Sequence, residues 1–293
     1  MSLPVLGIDI GGTSIKARLA DGDDLTLGTW REPTPAQDPS GASTAEVIGA
    51  MVERARRTAP LGAVGVVVPG IVDDDAGVCI HSVNLGWHDL PIRDILQRRV
   101  DLPMAFGHDV RAGALAESLT GAAAGVVGPV VFIPIGTGVA SALIIDGAVI
   151  SSGGWAGEIG QVILDSGPHA GHRVEEIASA TGIARRAGQP NALAVAELVT
   201  AGDAVATAAW DEGIDVLADA LAWIDAIVAP EMIVLGGGLA EAGELLTRPL
   251  ERALVRRLPS TRIPALSRAR HGDAAAMIGA GYLARRRLGA GDP

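Results

Sequence analysis

Two glycine turns, each set between apolar runs, are the residues best suited to chemistry in this chain. In Asp9-Ile10-Gly11-Gly12-Thr13 a carboxylate lies near the end of an apolar run, two residues without side chains follow, and a hydroxyl stands beyond them. With no Cβ in the way, backbone N–H groups of such a turn can point at phosphate oxygens, and Asp9 could hold Mg²⁺ through water. An ordinary β-hairpin uses the same residues. Gly136-Thr137-Gly138 repeats the pattern far downstream, and two such turns facing each other across a cleft would grip one polyphosphate from both sides. Lys16 lies in the strand after the first turn, where it either approaches phosphate or is solvated or paired.

A candidate base and a set of polar loops complete the inventory. Asp109 follows Phe106-Gly107-His108, where a short apolar run gives way to a helical pattern. A carboxylate at the carboxyl end of a strand can accept a proton from a substrate hydroxyl; it can equally cap the helix that follows. Pro69-Gly70, Asn84-Leu85-Gly86-Trp87 and Gly157-Glu158-Ile159-Gly160-Gln161 offer amides, a carboxylate and an indole. Each is compatible with plain turn chemistry, and together they suit a polyol, whose hydroxyls need both donors and acceptors. Gly236-Gly237-Gly238 follows an apolar run, the arrangement that lets backbone approach a nucleotide, although it matches neither the G-x-G-x-x-G pattern nor a Walker lysine. In combination, these features favour phosphoryl transfer to a sugar.

The elements that must position these groups are legible as strands and helices in alternation. Val5–Ile10 and Ile15–Ala20 read as strands, with Asp21-Gly22 as a hairpin signal; Val130–Ile135 and Val139–Ile145 repeat them, ending at Asp146-Gly147. Ile10 and Ile135, Gly11 and Gly136, Leu19 and Ile144, and the two Asp-Gly pairs all match at a single offset of 125 residues, which predicts a duplicated half. Residues 42–59 and 204–229 have helical spacing and precede the buried strands 63–68 and 232–235. The expected fold is therefore α/β, two related lobes around a cleft, with helices near 109–119 and 274–287 crossing between them. Residues 151–172 hold six glycines and read as a long loop interrupted by a short strand near 161–164.

Composition narrows the function classes. With 293 residues, 48% apolar, 19% charged, 39 Gly and 17 Pro, the chain is neither disordered nor collagen-like nor a long coiled coil. Thirty-four acidic against 23 basic residues, with no basic run longer than Arg285–Arg287, make nucleic acid a poor partner. The single cysteine, Cys79, excludes an intrachain disulfide framework and a cysteine-built zinc site, and suits a reducing cytosol. No run reaches the roughly 18 apolar residues of a membrane span, and no basic leader precedes Leu3, so a soluble cytoplasmic protein is expected.

The ordered set IDIGGTSIKARL, VPGIV, NLGW, HDVRAGALAE, PIGTGVASALIIDG, GEIG, IVLGGG and AAMIGAGYLA resembles the ROK sugar kinases, from about Val5 to Ala284. The resemblance implies a two-lobed actin/hexokinase-like (ribonuclease H-like) fold, ATP and Mg²⁺ as cofactors, a hexose substrate and a homodimer. It implies a small lobe of residues 1–107, completed by a helix at 276–293, and a large lobe of 108–275. By the same resemblance Asp109 would be the catalytic base. The sugar would meet Gly70, Asn84, Asp109 and Glu158, and the phosphates would meet Gly11, Gly12, Thr13, Gly136, Thr137 and Gly138. Gly237 and Gly238 would lie at the adenosine side.

Two departures stand out. The family usually has Asn before the catalytic Asp, where this chain has His108, which alters a hydrogen bond to the sugar. The family's Glu-x-Gly-His, followed by C-x-C-G-x-x-G-C-x-E, binds structural zinc, its His also facing the sugar. Here Gln161 takes the His position, DSGPHAGHRVEE contains no Cys, and the terminal Glu best matches Glu175, with Glu176 as competitor. No zinc site is expected, since His169 and His172 alone make an incomplete shell, and a hydrogen-bonded loop must do zinc's ordering work. The expected activity is phosphorylation of a hexose hydroxyl by ATP. The rivals are an N-acetylmannosamine or N-acetylglucosamine kinase and a non-catalytic sugar-binding member. The repressors of the group carry a helix-turn-helix ahead of the first turn, which here begins by residue 9.

Overall fold

The computed structural model describes residues 3–289, which divide into two compact units. The first runs to Thr120 and takes in Val149–Ala156 and the chain from Asp273; the second comprises Gly121–Ala148 and Gly157–Gly272.

In the first unit, β1 (Val5–Ile10), β2 (Ser14–Ala20), β3 (Thr26–Pro33), β4 (Ala63–Val68) and β8 (Met104–His108) form one sheet in the order β3-β2-β1-β4-β8. β1 pairs antiparallel with β2 and parallel with β4, and β4 parallel with β8. Alternation then assigns faces. Leu6, Ile8 and Ile10 of β1 join Val64, Val66 and Val68 of β4 under helix α1 (Ala42–Arg56), through Ile48, Met51 and Val52. A smaller sheet of β5 (Ile71–Asp73), β6 (Val78–Ser82) and β7 (Trp87–Leu90), followed by α2 (Ile92–Gln97), closes the same core. The opposite face carries Gly7, Asp9, Gly65 and Val67.

That opposite face is built for close helix packing. A Cβ on Gly7 would stand 2.1 Å from the carbonyl oxygen of Met277, and one on Gly65 1.8 Å from that of Ala280. The missing side chains let the C-terminal helix lie directly on the strands. That helix, together with α3 (Asp109–Leu119), covers the face, and Gly279 lies so near the Ala112 carbonyl that a Cβ would reach 1.9 Å from its oxygen.

The second unit repeats the arrangement. β9 (Val130–Pro134), β10 (Ala142–Ile145), β11 (Ala148–Val149), β12 (Met232–Gly236) and β13 (Ala265–Arg268) order as β11-β10-β9-β12-β13, again antiparallel on one side of the central strand and parallel on the other. The core lies between Val131, Ile133 and Ile135 of this sheet and a helical layer. That layer contains α4 (Val174–Ala178), α5 (Ala180–Arg186), α6 (Ala192–Thr200), α7 (Ala204–Val228), α8 (Gly237–Ala240) and α9 (Glu244–Arg257). α7 starts where the Asp203 side chain accepts from Ala206 N–H at 2.8 Å. No single helix among the described residues is long and apolar enough to cross a membrane.

Three expectations need correction. The division at 107/108 moves: α3, Val149–Ala156 and Asp273 onward belong with the first unit. The cause is packing, since α3 is locked on the last helix, α10 (Ala275–Arg287), and a Cβ on Gly154 would sit 2.3 Å from the Val72 carbonyl. The helices near 109–119 and 274–287 therefore share one unit, and α10 ends at Arg287; residues 290–293 lie outside the described residues. The short strand near 161–164 reduces to a helical turn at Ile159–Gln161 and a lone bridge between Ile163 and Arg173.

Candidate functional site

In the first unit the site residues collect at the carboxyl ends of the parallel strands β1, β4 and β8. Asp9 is the penultimate residue of β1 and pairs in register with Val67 of β4; Val68, next in β4, pairs with His108 of β8. Pro69-Gly70 and Asp109 therefore leave the same edge that Gly11 leaves, as binding groups do in open α/β sheets. Gly70 has φ 111°, and a Cβ there would come within 2.2 Å of the His81 carbonyl, so no other residue fits. The turn between β1 and β2 is closed by Gly11 N–H donating to Ser14 C=O at 3.0 Å. Gly12 and Thr13 are exposed, and their N–H groups have no hydrogen-bond partner among the described residues. A Cβ on Gly12 would lie 3.1 Å from the Asn84 Cβ, which places Asn84 against this turn.

Charge at this edge is arranged around a desolvated carboxylate. Asp9 is 8% exposed, and burial pushes its pKa up to about 6 against the pull of Lys16, whose Nζ lies 3.9 Å from Oδ2. Lys16 is also hydrogen-bonded to exposed Asp273, so it is paired rather than solvated. A carboxylate short of compensating charge, beside exposed backbone donors, fits a hydrated Mg²⁺, which takes one or two carboxylates and keeps several waters.

Asp109 opens α3, and its Oδ1 accepts from the Val110 N–H at 2.7 Å. His108 Nε2 lies 3.2 Å from the same oxygen. Burial, helped by Arg111, holds the His108 pKa down to about 3, so the imidazole is neutral, and its Nδ1 is buried without a partner among the described residues. Sequence reasoning missed Arg111 and Asp74. The buried guanidinium meets both oxygens of Asp74 at 2.8 and 3.1 Å and donates to Val72 C=O at 2.7 Å, tying the first turn of α3 to β5. The only hint in the sequence is a charged residue on the apolar side of a helix.

The second unit holds the other half of the expected residues. Gly136 N–H donates to Gly138 C=O at 3.0 Å, and the N–H groups of Thr137 and Gly138 lack partners among the described residues. This turn is one residue shorter than its counterpart: Ile135 bridges Val139, whereas Ile10 pairs with Ile15. Beside it, Gly237 has φ 73° and abuts Ile135, where a Cβ would stand 2.5–2.7 Å from backbone atoms. Gly237 and Gly238 thus adjoin the second turn, and α8 begins at Gly237 itself.

Glu158 and Gln161 sit on a loop pressed onto the strand after that turn. Ser141 N–H donates to Gly157 C=O at 2.8 Å, and Cβ atoms on Gly157 and Gly160 would each lie 2.0 Å from carbonyl oxygens, of Ser141 and Val139. This is why glycines frame Glu158. Glu175 is next to the turn itself, its Oε2 2.6 Å from where a Gly138 Cβ would be. Zinc does not fit here. Gln161 has no metal-binding nitrogen, His169 faces Glu212 and His172 faces Glu176, so neither imidazole is turned towards the Gln161 position.

The model of the ROK family matches residues 5–287. A glucokinase of Halalkalibacterium halodurans is 31% identical over 313 aligned positions, covering 96% of this chain and 94% of that protein. An N-acetyl-D-glucosamine kinase of Escherichia coli is also 31% identical, over 302 positions, covering 94% of this chain and 98% of that protein. Among solved structures, a ROK family glucokinase from Streptomyces griseus in complex with glucose and AMPPNP superposes with a TM-score of 0.82 at 26% identity, over 97% of this chain and 99% of that one. From β1 to α10, then, this chain belongs to the ROK family and has the mixed α/β, actin/hexokinase-like fold of its kinases.

Proposed function

We propose that this chain is a glucokinase-like sugar kinase that transfers the γ-phosphoryl group of ATP to a hexose hydroxyl. The observation that carries this reading is the recurrence of one device in both units. Each has a glycine turn at the end of its central strand with N–H groups that have no partner among the described residues, and the first adds a carboxylate at a neighbouring strand end. Asp109 orients the hydroxyl and takes its proton as the oxygen attacks phosphorus. Val110 N–H and His108 Nε2 lie on Oδ1, so the carboxylate is held in one rotamer. The amides of Gly12 and Thr13 in the first unit, and of Thr137 and Gly138 in the second, are fixed donors for phosphate oxygens. Gly237 and Gly238 take the adenosine side; the sugar contacts are Gly70, Asn84 and His108 from the first unit and Glu158, Gln161 and Glu175 from the second. When bound, Mg²⁺ neutralises phosphate charge, with Asp9 holding it through water.

The test is a coupled ADP-release assay over glucose, mannose, allose, fructose and the N-acetyl hexosamines. Turnover with a hexose is expected, and Asp109→Asn should lower it on the order of 10² to 10⁴-fold in folded protein. Near-normal turnover in that variant would remove Asp109 from the base role. The Escherichia coli relative favours a second reading, an N-acetylhexosamine kinase, which the same panel separates. The protein works in the cytoplasm as a homodimer in this proposal. Trp223 and Ile227, one turn apart on α7 and 73% and 81% exposed, supply an apolar face for self-association.

A further inference from the structure

The segment where the family resemblance implies zinc contains one guanidinium in contact with several of its side chains. The loop from Gln161 to Glu176 closes through backbone bonds: Leu164 N–H to His172 C=O and Gly171 N–H to Leu164 C=O, both 2.8 Å, and Val174 N–H to Val162 C=O at 2.9 Å. Arg173 lies in the middle of it. Its Nη1 donates to Gln161 Oε1 at 3.0 Å and lies 3.4 Å from Glu175 Oε1; its Nη2 lies 3.6 Å from Glu176 Oε1. The two glutamates differ in their other duties. Glu176 accepts from the Arg173 N–H at 2.7 Å as part of the cap of α4, and also faces His172. Glu175 instead reaches from Arg173 to Gly138 in the second glycine turn. One planar fork therefore meets the side chains of both Gln161 and Glu175, as a bound metal would, using donors of rigid geometry.

We propose that Arg173 replaces the metal ion as the positioning residue of this loop, holding Gln161 and Glu175 in the orientation that binds the sugar. The inference rests on the sugar-kinase reading for the identity of the ligand. Arg173 is half-exposed, so its ion pairs add little to folding, and its removal should act on binding rather than on stability.

The experiment compares wild type with Arg173→Met, Arg173→Lys and Gln161→Ala in the full-length chain. Each is stripped with chelator, dialysed and assayed with excess Mg²⁺ on the hexose that the wild type phosphorylates. Arg173→Met should raise the sugar KM roughly tenfold or more while kcat changes less than about threefold and the ATP KM stays put. Arg173→Lys, which keeps charge without the fork, should fall between. The effect of Arg173→Met should shrink in the Gln161→Ala background, to the part carried by Glu175, a coupling that a merely structural role would not produce. Stripped wild type should stay active and hold no stoichiometric zinc by elemental analysis. An unchanged sugar KM in Arg173→Met, full additivity with Gln161→Ala, or tightly bound zinc whose removal abolishes activity would each overturn the proposal. If the wild type phosphorylates no sugar, the kinase reading fails separately. Calorimetry with the same sugars then tests Arg173: weaker binding by Arg173→Met supports its role, and equal or absent binding in both proteins overturns it.

Discussion

Burial of the Asp9 carboxylate carries a stability cost. Its ordinary carboxylate value of 3.8 is raised to about 6 by desolvation, so between those values the folded state holds a proton that the unfolded chain has lost. The sign follows from linkage: the penalty is absent below about pH 3.8, grows as pH rises, and is complete above about pH 6, where a shift of this size amounts to about 3 kcal/mol. His108 opposes it. Its value falls to about 3, so its neutral burial contributes stability that is present above about pH 6.5 and is lost as pH falls towards 3. Asp9→Asn should raise the denaturation midpoint at pH 7.5, by up to about 3 kcal/mol, and leave it little changed at pH 4. The same variant should lose most of its turnover. Denaturant titrations at the two pH values check this, and a less stable variant at pH 7.5 would contradict it. In wild type, Mg²⁺-dependent activity should fall as pH drops through about 6.

At the scale of elements, glycine decides how near the helices come to the sheet. Gly279 of α10 touches the backbone of α3, and a methyl group there has nowhere to go but into the Ala112 carbonyl. Gly279→Ala should cost about 1–3 kcal/mol or more and misplace Asp109, since α3 carries it. Gly49, inside α1, has no atom within 4 Å of its would-be Cβ. Gly49→Ala should therefore stabilise by roughly 0.5–1 kcal/mol through lower backbone entropy in the unfolded chain. Thermal melts of the pair, with kinetics on Gly279→Ala, distinguish close packing from generic helix propensity. Arg111 contributes in the same way, because its bonds to Asp74 and Val72 fix the rotation of α3 at the turn that bears Asp109, the proposed base.

For the whole molecule, the two units share a sheet order and a hairpin, yet each supplies different chemistry. The first holds the carboxylates Asp9 and Asp109; the second holds Glu158, Gln161, Glu175 and the glycines beside β12. Self-association belongs to the same scale. Trp223→Glu, on the exposed face of α7, should shift the mass in light scattering from dimer to monomer without altering the melting profile of either unit. A dimer that persists in this variant would place the interface elsewhere.

By itself the sequence determined the features that near neighbours control: alternating buried strands, Asp-Gly hairpins, the long helix before Met232, and glycine turns at a common offset. With one cysteine in the chain, it also left no set of paired cysteines to build a zinc site from, a matter of composition alone. Only the tertiary structure decided that α3 belongs with α10, that Glu175 and not Glu176 reaches Gly138, and that the second turn is one residue shorter. The residues that hold the site in place, Arg111 with Asp74 and Lys16 with Asp273, are 37 and 257 positions apart. Local propensity is set within a few residues of chain, whereas such partners are chosen by packing, which no spacing rule encodes.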